Sequence, residues 1–303
     1  MAGSKEKKMQ INFAGHQRVP LAMLAAFAAM PLFAQPALIE QGRAAINRGD
    51  SDAAIEILEK AVAQAPKSAE AHYVLGSAYG VKVQAGGMLA AAKYGSKLKD
   101  EFEKAVALDP KYVDARYGLA QVYTEAPGIM GGSYDKAFAQ AKEIKAIDPV
   151  LGHRAYAFIY SRQKKLDLAN KEYADAIREE PASAKAHAYF GQYLANVEKN
   201  YTAAFAELEA ALKLDPRYMP ALYHLGRIAS LANTNLARGE EALKQYLAYT
   251  PKENEPTPAS AHTFLGAVYE KEGKKAEAKQ AYEAALKLNP TLKSAAEGLK
   301  RVS

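Results

Sequence analysis

The sequence predicts an all-α fold: a right-handed α-solenoid of about seven helix-turn-helix repeats, closed by a C-terminal capping helix. Seven prolines mark the ends of the units: Pro66, Pro110, Pro149, Pro181, Pro216, Pro251 and Pro290, each preceded by Ala, Asp, Glu, Thr or Asn. A small residue recurs on the first helix of each unit, at Gly42, Gly76, Ala120, Ala157, Gly191, Gly226 and Gly266. A second opens the second helix, at Ala54, Ala137, Ala169, Ala204, Ala242 and Ala278, with Leu98 in its place in the second repeat. Strand content is expected to be close to nil.

The unit is clearest between Ala259 and Pro290. Leu265, Gly266 and Tyr269 sit at +6, +7 and +10 from its first residue, and Ala278, Tyr282, Ala285 and Pro290 at +19, +23, +26 and +31. The first helix ends where EKEGKK supplies charge and a glycine. The second closes at Asn289-Pro290, because the residue before a proline is pushed out of helical backbone geometry. Small residues at Gly266, Ala278 and Ala285 let the two helices approach, while Leu265, Tyr269 and Tyr282 fill the seam. Four residues beyond the second-helix small position stands a knob: Leu58, Phe102, Ala141, Tyr173, Leu208, Tyr246 or Tyr282. This pattern resembles the tetratricopeptide repeat, a helix-turn-helix of about 34 residues. The resemblance implies one solenoid domain over residues 35–303, because a single repeat cannot bury its own apolar face. It also implies a binding scaffold, and Lys293 to Ser303 as the polar cap on the last repeat.

Residues 1–34 stand apart. Lys5, Lys7, Lys8 and Arg18 precede an apolar run, Leu21 to Ala34, that is shorter than the roughly 20 residues a bilayer-spanning helix needs. A basic head, a short apolar middle and a small final residue predict a secretory signal peptide cut between Ala34 and Gln35, and hence a periplasmic or secreted protein. The whole chain carries 40 Lys and Arg against 34 Asp and Glu, a net +6; removing residues 1–34 leaves 36 against 33, a net +3. So balanced a chain offers no basic stripe for nucleic acid. The absence of cysteine excludes disulfides, thiolate metal sites and thiol nucleophiles together. No further apolar run approaches membrane length, so no stable membrane insertion is expected once the signal is removed.

Departures from the repeat locate two insertions. The spacing from the first-helix small residue to the second-helix one is 12 in repeats 1, 4 and 7, but 22 in repeat 2, 17 in repeat 3, 13 in repeat 5 and 16 in repeat 6. The repeat 2 insertion, near residues 82–97, keeps helical spacing from Met88 through Ala92, Gly95 and Leu98 to Phe102. It is expected to extend the second helix at its start by about ten residues, some 15 Å. The repeat 3 insertion, near residues 125–134, reads APGIMGGS: Pro127 ends a helix, Gly131 and Gly132 can take positive φ, and Ser133 can cap the next helix. Both turns emerge on one edge of a solenoid. Ile129 and Met130, apolar at a loop tip, are expected to pack under the extended helix or to cover a ligand, with packing the stronger reading because exposed apolar pairs are a liability. The glycine-rich approach to Ser133 lacks P-loop spacing and places Asp135 in the first turn of the helix, which opposes an anion.

No chemistry-bearing constellation survives this reading. His72, His153, His187 and His262 each hold the fourth position of a first helix in a different repeat, a packing position in the family, so they do not share a metal. Neither HExxH nor GxSxG occurs. The expectation is a non-enzymatic protein with no cofactor and no metal. In the family the inner faces of the first helices line a concave groove, and the matching positions here include Tyr73, Tyr117, Gln121 and Arg154. Further along they include Phe158, Gln192, Tyr223 and Arg227. Tyr and Arg dominate binding hot spots, so these are the candidate ligand-binding residues, with Ile129 and Met130 as candidate cover. The Lys and Asn pattern by which some family members hold a peptide C-terminal carboxylate is absent. The APGIMGGS loop and the GGMLAAAK extension look like those of a group of exported bacterial repeat proteins. Two functions are expected to compete: a periplasmic scaffold binding a protein or peptide in its groove, and a small-ligand carrier similar to repeat proteins that accompany solute transporters, its cavity closed by the two insertions.

Overall fold

The computed structural model describes residues 34–252 and 255–303. The signal segment read from the sequence lies outside them, apart from Ala34. Fourteen α-helices occur among the described residues. They are α1 (Ala34–Asn47), α2 (Ser51–Gln64), α3 (Ala69–Leu108), α4 (Val113–Glu125), α5 (Tyr134–Ile147), α6 (Pro149–Arg162) and α7 (Leu166–Glu179). The remainder are α8 (Ala184–Tyr193), α9 (Tyr201–Leu214), α10 (Met219–Ala232), α11 (Leu236–Leu247), α12 (Pro258–Lys271), α13 (Lys275–Leu288) and α14 (Lys293–Val302). Each first helix packs against its own second helix and each second helix against the next first helix, so the chain is an all-α solenoid of seven helix pairs, with α3 supplying both members of the second pair.

The pairs close because one side chain fills the space that a small residue leaves. A Cβ on Gly76 would lie 2.6 Å from the Phe102 ring, and one on Gly118, in the next repeat, would also lie 2.6 Å from it. Phe102 therefore occupies two holes at once and couples neighbouring repeats. Tyr282 repeats the device between Gly266 and Gly298, whose Cβ atoms would fall 2.8 and 2.3 Å from its ring, which joins the capping helix α14 to the last pair. In the sixth repeat the hole at Gly226 is filled by Leu243, while Tyr246, fully buried, donates its hydroxyl to the Pro256 carbonyl at 2.5 Å.

A second device ties the pairs of repeats 2 to 5 together through hydrogen bonds. The fourth residue of a first helix reaches a polar side chain three residues beyond the second-helix small position: His72 Nδ1 to Glu101 at 2.5 Å, His153 Nδ1 to Glu172 at 2.7 Å, and His187 Nδ1 to Glu207 at 2.7 Å. In the third repeat Arg116 replaces the histidine and donates to Gln140 at 2.8 Å. His72 Nε2 and Arg116 Nε also reach the carbonyls of Pro66 and Pro110, at 3.1 and 2.7 Å. These side chains thus fasten the proline turn of the preceding repeat to the second helix of their own, a polar role where the sequence reading saw only packing.

Spare residues are absorbed locally. The one extra residue of repeat 5 appears as a π-helical turn at Leu194–Glu198, closed by Lys199 at φ 59°. Repeat 3 has no residues to spare between its second helix and the next pair. Asp148 ends α5, and its carboxylate caps α6 by accepting from the Leu151 amide at 2.9 Å. Gly152 then passes so close that a Cβ there would lie 2.3 Å from the Lys145 backbone.

The repeat 2 insertion departs from expectation. Gly87, at φ 60° and ψ −143°, breaks α3 into two helical limbs joined without a loop. The second limb starts at Met88, ten residues before Leu98, where α2, α5, α7, α9 and α13 start three residues before their small residue. The first limb is lengthened too, running ten residues past Gly76 to Gly86 where α6 and α12 stop five residues beyond Ala157 and Gly266. The added residues are divided because nothing between Tyr79 and Ala85 except Gly80 discourages a helix, whereas only glycine adopts the backbone geometry found at Gly87.

The paired holes give a direct check on this packing. Gly266→Leu is expected to destabilise the protein by about 1–3 kcal/mol or more, because the Tyr282 ring is held on its other side by Gly298 and cannot retreat. Thermal unfolding measures it, and an unchanged midpoint rejects the packing described here.

Candidate functional site

The inward faces of the first helices form a channel. Clefts of about 620, 360 and 590 Å³ succeed one another from repeat 2 to repeat 6. Gln121, Phe158 and Arg162 line both the first and the second; Arg154, Tyr189, Gln192 and Asn196 line both the second and the third. Shared walls make them one continuous passage. The first cleft lies between the long limbs of α3, the α4–α5 loop and α6. The third ends where Glu255 and Pro256, from the connection between α11 and α12, come in over Tyr218 and Arg227.

Arg154 stands at the middle of this passage. Its guanidinium lies 4.1 Å from the Tyr189 ring centre and 5.0 Å from that of Tyr117, so two aromatic faces take the place of much of its water. Among the described residues no carboxylate is within ion-pairing distance of it. Burial pushes the Tyr117 and Tyr173 hydroxyls well above their usual range, so neither ring serves as a tyrosinate counter-ion. The other channel arginines differ. Arg162 donates to Glu125 at 2.5 Å, and Arg227 donates to Asn196 at 2.8 Å while lying 5.7 Å from the Phe264 ring centre.

The sequence-derived candidates do not all share one site. Tyr117, Gln121, Arg154, Phe158 and Gln192 meet in the second cleft, and Tyr223 and Arg227 join Arg154 and Gln192 in the third. Tyr73 sits elsewhere. It is 8% exposed, packed between Phe102 and Tyr112 at 5.7 and 4.9 Å, and lines a separate cleft of about 450 Å³ with Arg43 and Lys252. Tyr223 likewise spends most of its surface on Tyr246 and Phe264, because its position faces the neighbouring repeat as much as the groove. Met130 lies beside α3, its Cε 3.4 Å from where a Gly95 Cβ would be, and helps wall the first cleft. Ile129 is 98% exposed, against the expectation that the pair would be buried or would cover a ligand. The 3₁₀ turn Gly128–Met130 explains it: its hydrogen bonds to the Pro127 and Gly128 carbonyls turn successive side chains apart, and only Met130 points inward.

Sequence reasoning did not name Tyr189 and His224, although both stand on an inner-groove position of the repeat register, two residues before the small residues Gly191 and Gly226. Glu255 had no such signal, since it comes from a connection with no repeat register. His224 carries a buried Nδ1 without a hydrogen-bond partner among the described residues, and burial, helped by the Arg227 and Arg154 charges, pushes its pKa from 6.5 down to about 3. Above pH 6.5 the imidazole is neutral in both folded and unfolded chains and gives no pH dependence. Between pH 6.5 and about 3 the unfolded chain takes up a proton that the folded chain refuses, so stability falls on acidification through that window. His224→Phe is expected to lose less of its melting temperature than the wild type between pH 7 and about pH 5. Equal losses in the two proteins contradict a neutral, buried His224.

The tetratricopeptide repeat family matches residues 39–80, 99–150 and 259–292. Among solved structures, yeast Tom70 is similar over 88% of this chain and 53% of its own, at 17% identity and a TM-score of 0.64. A monomeric IFIT1 mutant solved with m7Gppp-AAAA is similar over 88% of this chain and 62% of its own, at 19% identity and a TM-score of 0.51. A tetratricopeptide repeat protein from Parabacteroides merdae aligns with 88% of this chain and 98% of its own, at 17% identity and a TM-score of 0.46. This chain spans about half the length of the Tom70 chain, and at these identities the likeness carries the fold alone. No curated protein sequence matches it. The family matches and the seven helix pairs agree: the chain is built of tetratricopeptide repeats.

Proposed function

We propose that the protein is a non-enzymatic scaffold that binds an extended segment of a partner protein or peptide along its inner channel. The observation that supports this most is the continuity of the passage. Three clefts share their walls through Gln121, Phe158 and Arg162 on one side of Arg154, and through Tyr189, Gln192 and Asn196 on the other. An elongated ligand fits such a passage, whereas a small-molecule carrier calls for a closed cavity. The first cleft, at about 620 Å³, has the size of a ligand pocket, but it opens into the next cleft and Ile129 does not cover it. Tyrosine and arginine supply the anchoring surface, with little side-chain entropy to lose because ring stacking already holds Tyr117 and Arg154 in place.

The basic head and short apolar run of residues 5–34, and the likeness of the two insertions to those of exported bacterial repeat proteins, support export to the periplasm. N-terminal sequencing of the protein from an envelope fraction is expected to begin at or near Gln35; a full-length cytoplasmic product overturns the compartment. For the channel, partners captured from envelope extract are to be titrated against the wild type and against Tyr117→Ala and Arg154→Ala. Each variant is expected to weaken binding by more than about 1 kcal/mol. Undiminished affinity in both places the binding surface outside the channel.

A further inference from the structure

Resting on the peptide-channel reading, we propose that Arg154 selects an acidic side chain, an aspartate or glutamate within the bound segment, and not a chain terminus. Among the described residues Arg154 has aromatic rings and no carboxylate as its close neighbours. Its two faces are covered by Tyr117 and Tyr189, leaving the edge of the guanidinium, where the N–H donors are, as the part available to a ligand. Tyr189 takes one hydrogen bond from this guanidinium, and a carboxylate is the acceptor that matches the fork of its remaining donors. Arg227, in the same third cleft, adds positive charge, and the neutral His224 between them adds none.

Two carboxylates of the chain itself border this cleft, and neither takes the role. Asp114 and Glu255 both line it; Asp114 has interactions of its own, and Glu255 accepts the Lys252 amide at 2.7 Å. The bordering glutamate, in the turn closed by its own amide on the Lys252 carbonyl, shows that the cleft admits an acidic side chain. The position of Arg154 decides between a side chain and a terminus. It belongs to both the second and the third cleft, so the ligand continues past it in both directions, whereas a terminal carboxylate calls for a passage that ends there. Charge decides between a carboxylate and a phosphate. One guanidinium held between two rings balances one negative charge, and a phosphoryl group of nearly two charges stays half uncompensated beside the Asp114 and Glu255 carboxylates.

The test uses the full mature chain and oriented libraries of N-acetylated, C-terminally amidated nonapeptides, random except for a fixed central residue: glutamate, glutamine or phosphoserine. Blocking both ends removes any terminal carboxylate. Fluorescence anisotropy is expected to give about tenfold tighter binding for the glutamate library than for the glutamine library, the range of one desolvated charge pair. The ratio is expected to fall to about one in Arg154→Gln, and to be partly restored in Arg154→Lys. Because the ratio is read first in the wild type, a misfolded variant does not hide the answer. Equal binding of the glutamate and glutamine libraries overturns the acidic assignment while leaving the channel reading in place. Preference for phosphoserine overturns the carboxylate in favour of a phosphate. If no library binds, or if a captured partner's affinity is untouched by Tyr117→Ala and Arg154→Ala, the peptide channel falls and the acidic assignment falls with it.

Discussion

One bulky side chain from each second helix, seated against a residue with almost no side chain on the first, sets the distance between the paired helices. Phe102 shows why this contact governs more than its own pair. Because it fills the holes at Gly76 and Gly118 together, the spacing within repeat 2 and the spacing between repeats 2 and 3 are one quantity. Fixing that spacing fixes the rotation of every first helix about its axis. The residues facing away from the knob then line up on the inner face, which is how Tyr117, Arg154 and Gln192, separated by tens of residues, come to border one cleft. The channel is a by-product of the packing rule, and its chemistry is what the packing rule leaves free to vary.

Where the rule is kept, length is tolerated. A solenoid's stability is a sum over repeats and their neighbours, so a change at the edge of one pair is felt mainly there. The π turn at Leu194–Glu198, the doubled capping role of Asp148 and the long limbs of α3 are three responses to one, too few and several extra residues. None displaces a knob. The long limbs do alter the channel, because with Met130 of the next loop they raise a wall at one end that the other pairs lack. The first cleft exists for that reason, and its lining is correspondingly more apolar than that of the third, where Arg154, Arg227 and Glu255 meet.

This division explains what could be read from the sequence. The fold was legible because each of its requirements, a small residue, a knob and a proline stop, leaves a mark at a fixed spacing, and the marks repeat. Inner-face residues were legible to the extent that register alone decides their direction. It placed Tyr117, Gln121, Arg154 and Phe158 on the channel, but it could not tell that Tyr73 and Tyr223 turn most of their rings onto neighbouring aromatics, since that depends on which residues the adjacent repeat supplies. Of the four histidines, His262 has its Nδ1 buried with no partner among the described residues, whereas His72, His153 and His187 do more than pack, which the sequence hid for the opposite reason. Their partners, Glu101, Glu172 and Glu207, stand 19 to 29 positions away, and the pairing emerges only when several repeats are compared side by side. Gly87 illustrates a different limit: several glycines cluster at the turn of α3, and the sequence does not say which of them breaks the helix.

The two ends of the chain complete the argument about the channel. The turn between α1 and α2 meets the turn before α14, so closely that a Cβ on Gly49 would lie 2.2 Å from Thr291 Oγ1 and 2.7 Å from Asn289 Oδ1. Nearby, Pro251, Lys252 and Thr257 of the α11–α12 connection border a cleft with Arg43, Tyr73 and Ser77 of the first two repeats. Pro256 of this connection is held from within, by the Tyr246 hydroxyl on its carbonyl, and with Glu255 it borders the third cleft. The solenoid is therefore curled until its last repeats face its first, through polar and glycine contacts and not through a shared apolar core. The passage is bounded by the α3 wall at one side and by Glu255 and Pro256 at the other, and Arg154 lines both the second and the third of its clefts. On the proposed function, an extended segment lying along it brings some residue beside that guanidinium, which makes the charge there the feature of the channel that such a segment meets.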